Sequence, residues 1–107
     1  MLQISAQASP RAMTALDGRV QLSFGEHLMI QATPIIYSHA PDGAIVNATG
    51  YLLEFACGKR AQLYLEGECM AMYYGPIRTR QVLMTGPRMD VAECLFRLAH
   101  MNLDGKL

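Results

Sequence analysis

The stretch from Tyr51 to Glu66 constrains the fold more than any other, because its pattern is that of a β-hairpin with a deducible register. Side chains on a strand alternate between the two faces of a sheet. With an odd number of residues in the turn, one face carries Tyr51, Leu53, Phe55, Ala61, Leu63 and Leu65. The other face then carries Leu52, Glu54, Gln62, Tyr64 and Glu66.

The length of the turn follows from the cost of burying a charge. A two-residue turn would place Glu54 opposite Leu63 on the apolar face, where an unpaired carboxylate costs several kcal/mol. A three-residue turn Ala56-Cys57-Gly58 avoids this and supplies a glycine for the left-handed conformation that such loops need. It also sets Glu54 across from Arg60. We therefore predict the three-residue turn.

Length and composition indicate one globular domain over residues 1–107, with 102–107 expected to fray. Hydrophobic residues make up 51% of the chain and charged residues 17%, which excludes a disordered chain. Nine basic and nine acidic residues give no net charge, so we expect neither nucleic acid nor a membrane surface as partner. Without charge repulsion between copies, a homodimer is expected.

The cysteines and the start of the chain favour a cytoplasmic protein. Three cysteines cannot all pair within one chain. The first residues lack the basic and long apolar segments of a signal peptide, and no apolar run approaches the ~18 residues of a membrane span. We expect free thiols in a reducing compartment.

Most of the chain has the two-residue periodicity of strands, interrupted by turns. Leu2 to Ala6 alternates as a first strand would, and Ser9-Pro10 to Gly18 has the start and stop signals of a short helix. Turns are predicted at Gly25-Glu26, at 40–44, at Gly67-Glu68 and at Gly75-Pro76, with a bulge or bend at Gly50. The last strand, 78–84, is predicted to point Val82 and Met84 inward.

A longer helix is predicted from Pro87 to Met101, since proline favours the first helical position. Its apolar residues cover more than half of its circumference, which suggests a second contact besides its own sheet. The predicted fold class is α+β. A strongly curled, barrel-like antiparallel sheet of six to seven short strands carries one short early helix and one C-terminal helix packed on it.

No pattern in the sequence identifies an enzyme. The histidines and cysteines lack the short spacings of a metal site, and there is no glycine-rich nucleotide motif. Cys57 lies near Lys59 and Arg60, which would favour its thiolate, but an ordinary turn thiol is the better interpretation. We assign no catalytic residue, no metal and no cofactor, and regard an enzyme as less favoured than a binding protein.

Aromatic and basic side chains cluster around the Gly75-Pro76 turn. We select Tyr64, Tyr73, Arg78, Arg80 and Phe96 as candidate ligand- or partner-binding residues. Tyrosines beside arginines can hold a planar anion or a peptide carboxylate, although ordinary solvated arginines give the same pattern.

Three hypotheses about function remain. The first is a non-enzymatic binding or interaction module, a homodimer formed through the C-terminal helix or a sheet edge. The second is a protein that binds a small apolar or anionic ligand in a pocket between helix and sheet, lined by Leu63, Met72 and Phe96. The third is a small enzyme that uses Cys57 or a His–Glu pair.

Overall fold

The computed structural model describes residues 10–40, 42–76 and 79–100, with the side chains of Pro10 and His100 left out. The strands are β1 (Pro10–Thr14), β2 (Val20–Phe24), β3 (His27–His39), β4 (Ile45–Phe55), β5 (Arg60–Glu66), β6 (Cys69–Tyr74) and β7 (Gln81–Pro87), followed by helix α1 (Val91–His100). Each strand pairs antiparallel with the next one in sequence, in one sheet that curls into a half-barrel. The predicted curled antiparallel sheet with a C-terminal helix is confirmed.

The hairpin formed by β4 and β5 has the predicted register. Leu53 is opposite Ala61, and Glu54 is opposite Arg60, with 3.6 Å between the carboxylate and the guanidinium. The turn is closed by the Phe55 N–H, which donates to the Lys59 carbonyl oxygen at 2.9 Å. Gly58 has φ of 91°, which a side chain would disfavour. The three-residue turn is therefore confirmed.

The core lies between the concave face of the sheet and α1. Fully buried side chains of both include Leu22, Ala32, Leu53, Ala61, Leu63, Met72, Cys94 and Leu95. The helix follows β7 in sequence but packs on β1, β2 and β3, so it crosses the concave face towards the other edge of the sheet. No helix in the described ranges has the length and apolar character needed to cross a membrane.

Helix α1 begins later than predicted. Pro87 is the last residue of β7 and is opposite Cys69, so it does not open the helix. Asp90 takes that role, because its Oδ2 accepts the N–H of Ala92 at 3.1 Å. The prediction of a start at Pro87 was wrong because a proline is equally acceptable at the end of an edge strand.

The predicted early helix is also absent from this part of the chain. Pro10–Thr14 is strand β1, and Ala12 lies opposite Leu22 on the core face. A helix of two turns forms too few hydrogen bonds to offset the free-energy cost of helix nucleation. Pairing with β2 instead gives the backbone groups of the whole segment hydrogen-bond partners. The predicted first strand, Leu2 to Ala6, and the tail 102–107 lie outside the described residues.

A bulge that the sequence did not locate reverses the orientation of Val82. The pairing is irregular between Leu22 and Ser23, between Tyr37 and His39 and between Met72 and Tyr73. It is continuous at Gly50, so the bulge predicted there as one alternative is absent. The irregularity after Met72 pairs Tyr73 with Val82, which is 58% exposed, so its predicted inward position was wrong. The inward position predicted for Met84 is confirmed, since Met84 packs against the core together with Leu83.

The hairpin formed by β3 and β4 extends beyond its neighbours. β2 is paired with β3 only as far as Ala32, and β5 with β4 only as far as Gly50. Residues 33–39 of β3 and 45–49 of β4 are therefore paired with each other and with no other described strand. We call residues 33–40 and 42–49 the arm.

Because the thiol of Cys94 is buried, the stability of the folded chain should decrease at alkaline pH. Burial raises its pKa from 9.0 to about 11. Above pH 9 the unfolded chain loses this proton while the folded chain keeps it, so unfolding releases a proton and stability falls as the pH rises from 9 to 11. We expect urea unfolding to show a steeper loss over this window in the wild type than in Cys94→Ala.

Cys57→Ala is the matched control, because Cys57 is exposed. Its stability should fall with pH as steeply as that of the wild type. Parallel curves for the wild type and Cys94→Ala would contradict the burial of the Cys94 thiol.

Candidate functional site

A cluster of aromatic rings lies on the face of the sheet opposite the core, under the arm. It starts at Gly50, which is opposite Tyr64 in the sheet. A β-carbon at Gly50 would lie 2.6 Å from Cε2 of Tyr37 and still closer to the Leu63 carbonyl oxygen. The ring of Tyr37 uses this space and stacks on the ring of Tyr64, with 4.2 Å between centroids and 23° between planes.

The Tyr64 hydroxyl joins the arm to the strand β7 region. It donates to the carbonyl oxygen of His39, in the arm, at 3.1 Å. It accepts a hydrogen bond from Nη1 of Arg80, the residue before β7, at 2.7 Å. Tyr64 is 0% exposed although Gln62 and Glu66, its neighbours on the same face of β5, are polar. The arm therefore covers Tyr64, which the sequence pattern had placed on an open face.

Arg80 is held by aromatic groups rather than by an acid. Its guanidinium carbon lies 5.5 Å from the centroid of the Tyr64 ring, in the range of a cation–π contact. The ion pairs found among the described residues involve other side chains. Its Nε is buried without a hydrogen-bond partner in the described chain. Among the described residues, Tyr64 thus supplies both the hydrogen bond and the ring contact of this cation.

Two of the phenols in the cluster have raised pKa values. Burial, reinforced by the neighbouring Tyr64, raises the pKa of Tyr37. Its hydroxyl accordingly stays protonated and donates to the Tyr51 carbonyl oxygen at 2.7 Å. Burial also raises the pKa of Tyr73, helped by the carboxylate of Glu66 and opposed by Arg80. Tyr37 therefore acts as a neutral donor, and the raised pKa of Tyr73 likewise favours its neutral form.

The structure brings together three of the five candidate binding residues. Tyr73 meets Tyr64 edge to face, with 5.7 Å between ring centroids, and Arg80 bonds to Tyr64. Phe96 is on α1 and packs against the core, on the other side of the sheet. Arg78 lies outside the described residues. Tyr64 is buried and bonds to the arm, whereas Tyr73 and Arg80 contact Tyr64 and keep part of their own surface accessible.

The pocket expected between helix and sheet is filled at the residues named for it. Leu63 and Met72 are 0% exposed, and Phe96 packs on the same core. Open space lies beside them, on the helix side of the sheet. A cavity of about 580 Å³ is lined by Pro34, Ile35, Ile36, Thr49, Gly50, Tyr51, Leu65 and Arg88. A second of about 360 Å³ is lined by Tyr51, Leu65, Arg88, Met89, Asp90 and Val91.

The two cavities share Tyr51, Leu65 and Arg88, so we describe them together as the groove. One end lies against the arm and the other against the start of α1. The apolar floor belongs to the same hairpin face that builds the core, at the point where α1 no longer covers it. The groove could not be predicted from the sequence, because its position depends on where α1 ends its contact with the sheet.

The described cysteines form no disulfide, and they differ in their exposure. Cys57 and Cys69 are exposed and Cys94 is buried, and all three are free. Among the residues that the structure describes, no three histidine, cysteine, aspartate or glutamate side chains are grouped to hold a metal ion.

Comparison with known proteins adds no functional information: no protein-family model, curated protein or solved structure matches this chain.

The ring cluster predicts an unequal response of two strand glycines to alanine. Gly50→Ala should lower the free energy of unfolding by about 1–3 kcal/mol or more, because the added methyl group clashes with the Tyr37 ring and a backbone carbonyl oxygen. Gly86→Ala, in β7, adds its methyl group to open space and should be neutral or stabilising by about 0.5–1 kcal/mol. Urea unfolding of the two variants measures both; equal destabilisation would show that the close approach at Gly50 is absent.

Proposed function

We propose that this chain is a non-enzymatic interaction module that self-associates through the free edge of β4 between Ile45 and Thr49. The supporting observation is that this edge has neither a neighbouring strand in the described residues nor the residues that usually protect an open edge. Unpaired backbone groups of a strand are a template for pairing with another chain.

Two of the other open edges contain protecting residues, and the third has one at its end. β1 contains Pro10 and Arg11, whereas β7 has a proline only at its last residue, Pro87. The free edge of β3 contains Pro34, which has no N–H to donate. Prolines and charged side chains of this kind oppose strand addition. The edge of β4 reads Ile-Val-Asn-Ala-Thr, with no proline and no charge.

The side chains of this edge favour a second copy as the partner. Ile45 is 86% exposed and Val46 is 38% exposed, so pairing would remove apolar surface from water. β-Branched residues also suit strand pairing. The chain has no net charge, so two copies meet without overall repulsion.

Because α1 is packed against its own sheet, it is less available for a dimer contact than the free edge of β4. Its residues Val91, Cys94, Leu95 and Leu98 are buried within the monomer. Ala92, Phe96 and Ala99 are partly buried against the same core. The apolar surface that suggested a helix-mediated dimer is thus largely used inside one chain.

Two copies that pair this edge antiparallel are related by a two-fold axis, as most homodimers are. We place the axis at Asn47, which then lies opposite Asn47 of the second copy. Ile45 lies opposite Thr49, and Val46 opposite Ala48. Because like charges directly opposite each other destabilise a sheet, this position allows a charge test.

We expect the wild type to be a dimer by light scattering coupled to size-exclusion chromatography. Asn47→Lys and Asn47→Asp should each be monomeric, since each places like charges across the axis. An equimolar mixture of the two variants should recover the dimer, because opposite charges then face each other.

Met13→Lys is the control, since Met13 is 72% exposed on β1, away from this edge. It should leave the dimer intact. A monomeric wild type, or dimers that persist in both Asn47 variants, would overturn the proposal. Loss of the dimer in Met13→Lys alone would move the contact to β1.

A further inference from the structure

We propose that the groove binds a small, largely apolar molecule that carries one carboxylate. Ligand binding in the groove is a different activity from self-association through β4. The groove is also a different site from the predicted pocket between helix and sheet, whose named residues are packed together.

The size of the groove suits such a ligand. Its larger part measures about 580 Å³. Small-molecule sites in proteins are usually clefts of about 300–1,000 Å³ with mostly apolar walls and a few placed polar groups. The larger part of the groove meets both conditions.

Its apolar walls come from three strands. Pro34 and Ile36 are on β3, Tyr51 on β4 and Leu65 on β5. Ile36 is 72% exposed, so an apolar ligand would remove considerable surface from water. Because burial of apolar surface favours binding, an alkyl chain gains affinity from these walls alone.

Arg88 gives the site its preference for an anion. Among the described residues that line the larger part, it is the one with a charge. Its backbone N–H donates to the Glu68 carbonyl oxygen at 2.7 Å, and Nη1 donates to the Gly67 carbonyl oxygen at 3.3 Å. These bonds hold Arg88 against the β5–β6 turn. The guanidinium has further N–H groups, which can bind a carboxylate in a bidentate manner.

Asp90 limits the ligand to a single carboxylate. It lines the smaller part of the groove, on the other side of Arg88 from the arm. Its Oδ2 accepts the Ala92 N–H at the start of α1. A second carboxylate in this part would face a like charge, whereas an alkyl chain directed towards Pro34 and Ile36 would not.

The test compares ligands of the same chain length by isothermal titration calorimetry. We expect octanoate to bind more tightly than 1-octanol, and both more tightly than octyltrimethylammonium. Arg88→Gln should weaken octanoate binding about 10-fold or more and leave 1-octanol binding unchanged, because only the charge-assisted hydrogen bonds are lost. Ile36→Gln should weaken both ligands alike.

Arg97→Gln is the matched control, since Arg97 is an exposed arginine that pairs with Glu93 on α1. It should bind octanoate as the wild type does. Absence of octanoate binding at millimolar concentration would overturn the proposal, and so would equal affinities for octanoate in the wild type and Arg88→Gln. All three variants keep residues 45–49 unchanged, so failure here is distinguishable from failure of the β4 dimer.

Discussion

The position of the arm depends on one buried hydroxyl, that of Tyr64. It accepts from Arg80 at 2.7 Å and donates to the His39 carbonyl oxygen at 3.1 Å, so it joins the β7 region to the far end of the β3 strand. A tyrosine hydroxyl supplies both a donor and an acceptor, and here each has a partner. Burying it without them would cost about 1–3 kcal/mol. These two hydrogen bonds therefore fix the position of the arm. The arm in turn provides one wall of the groove and the free edge of β4.

The same hairpin supplies two different packed surfaces. Its odd-numbered residues, such as Leu53 and Leu63, face α1 and form the core. Its even-numbered residue Tyr64 is equally buried, but beneath the arm and next to Gly50. Because a strand presents successive side chains to opposite faces, the register that fills the core also decides which ring meets Tyr37. The proposed edge and groove both depend on that register.

The local chemistry of the sequence was enough to predict the hairpin, since burying Glu54 opposite Leu63 would have been too costly. It could not predict what covers the second face. Tyr64 had polar neighbours along its strand, and its burial comes from the arm, which is distant in sequence. Val82 was misplaced because a bulge shifts the pairing by one residue. Proline signals were ambiguous at Pro10 and Pro87, which suit the ends of edge strands as well as a first helical turn.

Amide hydrogen exchange of Tyr64→Phe compared with the wild type tests the central claim most directly. The substitution removes one oxygen and leaves the stacked ring in place. If the hydroxyl holds the arm, amides in residues 36–39 and 45–49 should exchange markedly faster, while Leu53 and Leu63 keep protection close to that of global unfolding. Unchanged exchange in the arm would contradict the account, because the arm would then be held by other contacts.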